Sequence, residues 1–338
     1  MGPARRIDPG RSAWFALAPA VAAWAMAAEP SESAAARNEA AVVARVGDEP
    51  IRRGEIERLW RSAVGSRSVE RAARPLIEAQ LLEEIIARRL VLQYARLAGL
   101  VDNAAVDAEI ERLGQALAAR GRTIEQYLAG EGYDTADLRR RIEWRLVWPK
   151  LVQRWAGDER LAAWFDAHRR QFDGTEVLVR QILLRPPTGD RPVGAVAADW
   201  AALRERAETI RREIQAGTID FAEAARRYSH APSAADGGRL GWIGAEGPMP
   251  EAFHRAAVEL DPGETSPPIE TPLGVHLIHC DELRPGTRRW TDAREALEQA
   301  VQRELLTRLA DRQRRRTEVV YTGESPHFKP GTRELADP

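Results

Sequence analysis

Residue types that support metal or covalent chemistry are few in this chain, and their spacing favours neither. His276, His279 and Cys280 are close in sequence, but side chains alternate between the faces of a strand, so only His276 and Cys280 would share a face. Two ligands are too few for a structural zinc site. Ser229 and His230 are adjacent and lack the Gly-x-Ser-x-Gly motif that exposes a serine nucleophile. We therefore predict no metal site, no cofactor and no hydrolytic triad.

A stretch with paired glycines, residues 237–243, has the most constrained backbone in the sequence. Two adjacent glycines predict positive φ or close approach to another segment, and the alternating residues after them predict a short buried strand. A second Gly/Pro turn follows, and the pair at residues 250–251 suits the first turn of a helix. Because the backbone turns so tightly here, Leu240, Met249 and Phe253 are predicted to converge as an apolar pocket.

These residues belong to a region of mixed helices and strands. The pattern predicts the order β-α-α-β-α-β-β, with elements at residues 177–184, 199–215, 220–228, 239–243, 250–260, 269 and 274–280. Residues 185–196 are rich in proline and glycine and are predicted to form a loop. A region of about 110 residues is within the usual size range of a single domain.

The flanking regions have helical patterns. Residues 76–97 carry the strongest signal, with apolar residues spaced three to four apart and Gly99 as the stop. Further helices are predicted at residues 102–120, 123–129, 134–155, 158–172 and 292–314. Two short strands at residues 42–46 and 318–321 have no other partner and are predicted to pair with each other. That pairing would complete a helical domain of residues 41–172 with residues 288–322.

The two ends of the chain are predicted to lie outside these domains. Three arginines precede a 16-residue apolar run at residues 13–28, which is shorter than the roughly 20 residues needed to span a bilayer. We predict that residues 1–27 are a signal peptide, with an uncleaved N-terminal anchor as the alternative. Residues 28–40 are predicted to be a disordered linker and residues 323–338 a loose tail.

Composition excludes several classes of protein. Charged residues make up 30% of the 338 residues and hydrophobic ones 44%, as in soluble globular proteins with room for two domains. The formal net charge of −1 provides no field that would attract nucleic acid. Cys280 is the single cysteine, which excludes an internal disulfide.

Residues 177–284 resemble a parvulin-type (PpiC, rotamase) peptidyl-prolyl cis-trans isomerase domain. The matching segments occur in the family's order, at residues 179–184, 220–222, 228–229, 237–242, 249, 253, 263–267 and 271–276. The flanks resemble the SurA/PrsA group of exported foldases. Together these resemblances imply an α+β fold in which a four-stranded, antiparallel-rich parvulin domain, residues 173–287, is inserted into an all-α chaperone module.

The resemblance also implies roles for individual residues. It implies a substrate-binding set of apolar side chains around a proline ring: Leu240, Met249, Phe253 and Ala231. It implies a catalytic set of polar side chains beneath them: His276, Gln181 and Thr271. The expected partners are unfolded or extended proline-containing polypeptides in the periplasm or cell envelope. A membrane would be reached only through an uncleaved N-terminal segment, and the oligomeric state is left open.

Two positions depart from the family pattern and keep a second hypothesis open. Gln181 stands where the family has histidine, and Ala231 where it has cysteine or aspartate. Glutamine can donate and accept hydrogen bonds, whereas alanine can do neither. Because the isomerisation needs no nucleophile, we expect a peptidyl-prolyl isomerase whose activity is low. The alternative is a non-catalytic chaperone, a holdase or assembly factor, with a degenerate parvulin domain.

Overall fold

The computed structural model describes residues 40–64, 73–131, 133–187, 193–245, 247, 249–322, 325–332 and 334–336. The predicted signal peptide and residues 28–39 of the predicted linker lie outside these residues. The helices are α1 (Arg53–Ala63), α2 (Arg74–Leu97), α3 (Asn103–Ala118), α4 (Ile124–Glu131), α5 (Thr135–Trp155), α6 (Asp158–Ala167), α7 (Arg169–Phe172), α8 (Val193–Gln215), α9 (Phe221–Tyr228), α10 (Glu251–Val258) and α11 (Arg294–Arg314). The strands are β1 (Val42–Val46), β2 (Glu49–Arg52), β3 (Glu176–Leu184), β4 (Arg239–Ile243), β5 (Ile269–Thr271), β6 (Gly274–Arg284) and β7 (Val319–Tyr321).

Helix starts in the first half of the chain follow from their N-cap residues. Asp102 accepts a hydrogen bond from the Ala105 N–H at 3.1 Å, and Asp134 accepts one from the Asp137 N–H at 2.7 Å. Such caps satisfy backbone donors that have no partner within the helix. α2 then supplies the centre of the core, because its apolar face is fully buried against α1, α5 and α11. We call α1, α2, α5 and α11, together with β1, β2 and β7, the helical module.

The helical module also contains a three-stranded antiparallel sheet, in the order β2-β1-β7. The predicted pairing of β7 with β1 is confirmed, with Arg45 opposite Val320. Pro50 and Ile51 belong to β2, and α1 begins directly after this strand at Arg53. Gly47, at φ 58°, turns the chain back on itself, and Pro50 is tolerated because β2 is an edge strand.

Residues 173–287, which we call the inserted domain, contain the predicted four-stranded sheet in the order β4-β3-β6-β5, with every neighbouring pair antiparallel. Helices α8 and α9 pack on one face and α10 on the other. α8 begins at Val193, so the prediction of a loop through residue 196 was wrong. Val196, Ala197 and Trp200 are buried against the sheet, and this packing overrides the loop-like composition.

The prediction of a loose C-terminal tail was also wrong for residues 325–332 and 334–336. Phe328 and Leu335 form an isolated antiparallel bridge, and both side chains are buried. The imidazole of His327 stacks on the ring of Tyr321 with centroids 4.2 Å apart. Phe328 and Leu335 also belong to a buried cluster with Leu76 and Trp200, which are more than 100 residues away, and local pattern contains no sign of such packing. In the part of the chain that the structure describes, no helix is both long and apolar enough to cross a bilayer.

Candidate functional site

Three buried polar side chains from three strands form a hydrogen-bonded chain on the α10 face of the inserted domain. Thr271 Oγ1 lies 2.7 Å from His276 Nε2, and His276 Nδ1 lies 3.1 Å from Gln181 Oε1. Their exposed fractions are 2%, 0% and 6% in the order Thr271, His276 and Gln181. The structure therefore brings together all three residues of the predicted catalytic set.

The donors and acceptors of this chain are consistent with a neutral imidazole. A carbonyl oxygen such as Gln181 Oε1 can only accept, so the proton of a neutral His276 lies on Nδ1. Nε2 then accepts from the Thr271 hydroxyl, whose oxygen accepts from the Leu273 N–H at 3.1 Å. This placement of the proton satisfies both ring nitrogens without a charge.

Burial keeps His276 uncharged near neutral pH. Loss of hydration, reinforced by the nearby positive charge of Arg185, lowers the pKa of His276 from 6.5 to about 4. The rings of Phe253 and His276 also pack edge-to-face, with centroids 5.3 Å apart and an interplanar angle of 81°. This contact covers the imidazole with an apolar side chain and contributes to its burial.

The glycines that flank the site explain how its strands approach so closely. At Gly238, with φ 81°, a Cβ atom would lie 2.3 Å from the carbonyl oxygen of Gln181. At Gly274, with φ 138°, a Cβ atom would lie 2.2 Å from the carbonyl oxygen of Leu184. Both positions therefore require glycine, and the first confirms the close approach predicted for the paired glycines.

The predicted substrate-binding side chains Leu240, Met249 and Phe253 belong to one apolar cluster. Leu240 and Met249 are half-buried, whereas Phe253 has no exposed surface. Phe253 therefore acts in the free protein as core that supports His276. The apolar surface that a ligand could reach without rearrangement comes from Leu240 and Met249.

Ala231 lies in a loop that is tied to the end of β3. The Ser229 hydroxyl oxygen accepts from the N–H groups of Leu183 and Ala231, each at 3.1 Å. His230 Nδ1 accepts from the Arg185 N–H, also at 3.1 Å. Ser229 and His230 therefore anchor the loop, and Ala231 itself contributes a buried methyl group. Ser229 was predicted only as part of the family motif, and this anchoring role was not predicted.

The other residues considered for metal chemistry are separated in space. The His279 ring stacks on Phe221, and its Nδ1 lies 3.0 Å from the Thr265 hydroxyl, on the face opposite His276. Cys280 is fully buried on the His276 face, and burial raises the pKa of its thiol. Among the described residues, no group of three or more His, Cys, Asp or Glu side chains is arranged to hold a metal ion.

A separate cleft, with a volume of about 290 Å³, lies on the helical module. Its lining consists of Leu100, Val147, Lys150, Leu151, Gln153 and Arg154. Leu97, just before the cleft in sequence, is 78% exposed.

Comparison with known proteins gives two family matches. Residues 182–282 match the PPIC-type PPIase (rotamase) domain, and residues 12–161 match the SurA-like N-terminal domain. The Chaperone SurA of Methylobacillus flagellatus is 31% identical over 222 residues, which cover 63% of this chain and 49% of that protein. The Chaperone SurA of Aromatoleum aromaticum is 30% identical over 282 residues, 80% of this chain and 62% of that protein. The chain thus aligns with about half to three fifths of these relatives' length.

Solved structures with detectable similarity include a peptidylprolyl isomerase, PrsA, from Bacillus anthracis. It is 19% identical, with a TM-score of 0.37, and the match covers 70% of this chain and 96% of that one. A PpiC-type isomerase domain is 27% identical, with a TM-score of 0.29, over 34% of this chain and 95% of that one.

Proposed function

We propose that this chain, which belongs to the SurA-like proteins carrying a PPIC-type peptidyl-prolyl isomerase domain, is an exported foldase. It binds unfolded client chains and rotates their X-Pro bonds. The observation that carries this proposal is the neutral Thr271–His276–Gln181 chain, buried beside the half-exposed apolar surface of Leu240 and Met249.

This arrangement suits a reaction in which no covalent bond is made or broken. Rotation about an X-Pro bond crosses a barrier of about 18–20 kcal/mol that arises from amide resonance. A catalyst has to bind the twisted amide more tightly than the planar one, and an apolar socket for the ring with fixed polar groups nearby can do so. Met249 and Leu240 supply the socket, and His276 and Gln181 supply polar groups whose geometry is set before the client arrives.

Gln181, at the position where the family has histidine, can both accept and donate hydrogen bonds. Its Oε1 accepts from His276, and no hydrogen bond among the described residues involves its side-chain Nε2. The Nε2 group can donate to a client carbonyl oxygen that comes within reach as that oxygen rotates. Ala231 supplies no polar group, which is why we expect low turnover.

A proline-limited refolding assay with the full chain tests the proposal. We expect the wild-type protein to accelerate the slow phase, and Met249→Ala to reduce that acceleration about tenfold because a proline contact is lost. Leu97→Ser, which changes the helical module alone, is the control and should leave the acceleration unchanged. A wild-type protein that does not accelerate the slow phase would reject catalysis, and a Met249→Ala protein as active as the wild type would remove Met249 from the socket.

A second candidate function, a non-catalytic holdase, is favoured by the cleft on the helical module. The half-buried Leu100 and the buried Val147 and Leu151 line the cleft, and the exposed Leu97 lies three residues before Leu100, so this part of the module offers an apolar surface to an extended chain. Suppression of client aggregation measures this function. We expect Leu97→Ser to weaken suppression and Met249→Ala to preserve it, so each variant serves as the other's control. Equal protection by both variants and the wild type would count against the cleft.

Export to the periplasm or cell envelope is part of the same proposal. It is supported by the arginine-rich start and the apolar run at residues 13–28. Mass spectrometry of the protein recovered from its native cell envelope tests it. A mature chain that begins at residue 28 is the expected result, and an intact N-terminus in the soluble cytoplasmic fraction would contradict it.

A further inference from the structure

The C-terminal residues 325–332 and 334–336, which we call the C-terminal strap, join the two parts of the chain. Phe328 and Leu335 are 8% and 5% exposed. They belong to one apolar cluster with Leu76 of α2 and Trp200 of α8. The strap therefore packs against the helical module and the inserted domain at once, on the sheet face opposite His276.

One arginine connects this strap to the edge of the sheet. Arg204 of α8 donates from Nε to Glu270 Oε1 at 2.6 Å and from Nη1 to Glu334 Oε1 at 2.5 Å. Glu270 lies in β5, and Glu334 lies in the strap. The Arg204 and Glu270 side chains are only 28% and 19% exposed, so solvent screens their interaction less than that of a surface pair.

The strand that Arg204 contacts through Glu270 is β5, and β5 also supplies Thr271 to the site. β5 is an edge strand of three residues, and so short an edge opens more easily than the centre of a sheet. Side chains alternate along a strand, so Glu270 faces α8 while Thr271 faces His276. A movement of β5 would lengthen the 2.7 Å contact between Thr271 Oγ1 and His276 Nε2.

We propose that Arg204 is a positioning residue: held between Glu334 of the C-terminal strap and Glu270, it fixes β5 so that Thr271 stays within hydrogen-bond distance of His276. The C-terminal strap thereby sets the geometry of a site to which it makes no contact of its own. This inference goes beyond the proposed function, since it concerns the free protein and holds whether or not X-Pro bonds are rotated.

Nitrogen-15 NMR of the His276 ring in the full chain tests the inference, together with amide hydrogen exchange of β5. In the wild-type protein we expect a single tautomer with the proton on Nδ1. In Glu334→Gln and in Arg204→Gln the Nε2 resonance should move. The Thr271 amide should exchange about threefold faster, as expected for the loss of one partly buried ion pair. Glu205→Gln removes an exposed carboxylate from the same helix and should match the wild type.

Two results would overturn the inference. An unchanged His276 spectrum in a folded Glu334→Gln protein with a lower melting temperature would make the strap a structural element only. A spectrum that changes in Arg204→Gln and not in Glu334→Gln would remove the strap from the proposal. Because ring resonances are read without substrate, shifts in both variants, found together with a wild-type protein that has no isomerase activity, would reject the proposed function and retain this inference.

Discussion

The helical module and the inserted domain each bury an ionisable side chain, Arg89 in the module and His276 in the inserted domain, and these two side chains differ in charge. In the module, Arg89 is 5% exposed and lies against Glu55, with Glu49 and Asp137 at 3.7 and 3.9 Å. Opposite charges are kept and paired there. In the inserted domain, His276 is buried without a counter-charge and its pKa is lowered to about 4, so the proton is given up.

This difference supports the proposal that the inserted domain binds a ligand beside His276. A buried ion network fixes the packing of α1, α2 and α5 and leaves each charged group committed to a partner. A neutral hydrogen-bonded chain next to apolar side chains can accommodate an uncharged amide without separating an ion pair. The comparison can be tested by removing one group at a time from each region.

The largest effect is expected from Arg89→Met in the helical module. It removes the cation that lies against Glu55, and breaking a buried pair in this way costs about 3–5 kcal/mol, while Asp137 keeps its pairs with Arg58 and Arg140. Arg88→Met is the matched control, since Arg88 pairs with Glu84 within one helix at partly exposed positions. Its loss should cost no more than about 1 kcal/mol. Urea unfolding measures both, and equal losses would contradict the distinction.

A pH effect of up to about 3 kcal/mol is expected from His276 in the inserted domain. Its folded pKa, about 4, lies below the ordinary value of 6.5, so the unfolded chain binds the proton first as the pH falls. The free energy of unfolding therefore decreases between about pH 6.5 and pH 4, and this contribution is complete above that window. Urea unfolding at several pH values should show a shallower pH dependence in His276→Gln. The same slope in both proteins would refute the assignment.

A smaller loss, about 1–3 kcal/mol, is expected from Thr271→Val because it leaves His276 Nε2 buried without a hydrogen bond. Thr265→Val is the matched control. Thr265 bonds His279 at 3.0 Å in a partly exposed position, where water can take its place. Thermal unfolding should separate the two variants, and a Thr271→Val protein as stable as Thr265→Val would argue against a sealed site.

Local signals were sufficient for much of the fold and the site. Asp102 and Asp134 marked helix starts, and the paired glycines indicated the close approach at Gly238. The association of His276, Thr271 and Gln181 came from family resemblance, since no local rule brings positions 95 residues apart together. The parts that were missed rest on distant contacts.

Two of the misses show why such contacts escape sequence reading. Residues 185–196 resemble a loop in composition, and α8 begins at Val193 because the sheet buries Val196 and Ala197. The C-terminal strap has no periodic pattern and is held by partners such as Arg204, which is 130 residues away from Glu334. Propensity describes neighbours along the chain, whereas packing of this kind depends on the finished tertiary structure.

The most direct test of the central claim is two-dimensional exchange NMR on an X-Pro peptide mixed with a small amount of the full chain. Unassisted, the two isomers interconvert over tens to hundreds of seconds and give no exchange cross-peaks on the NMR timescale. We predict cross-peaks between the cis and trans resonances with the wild-type protein, and weaker ones with Met249→Ala. Cross-peaks that are absent with the wild-type protein, while the peptide still binds, would contradict the account and leave a chaperone that holds proline segments without rotating them.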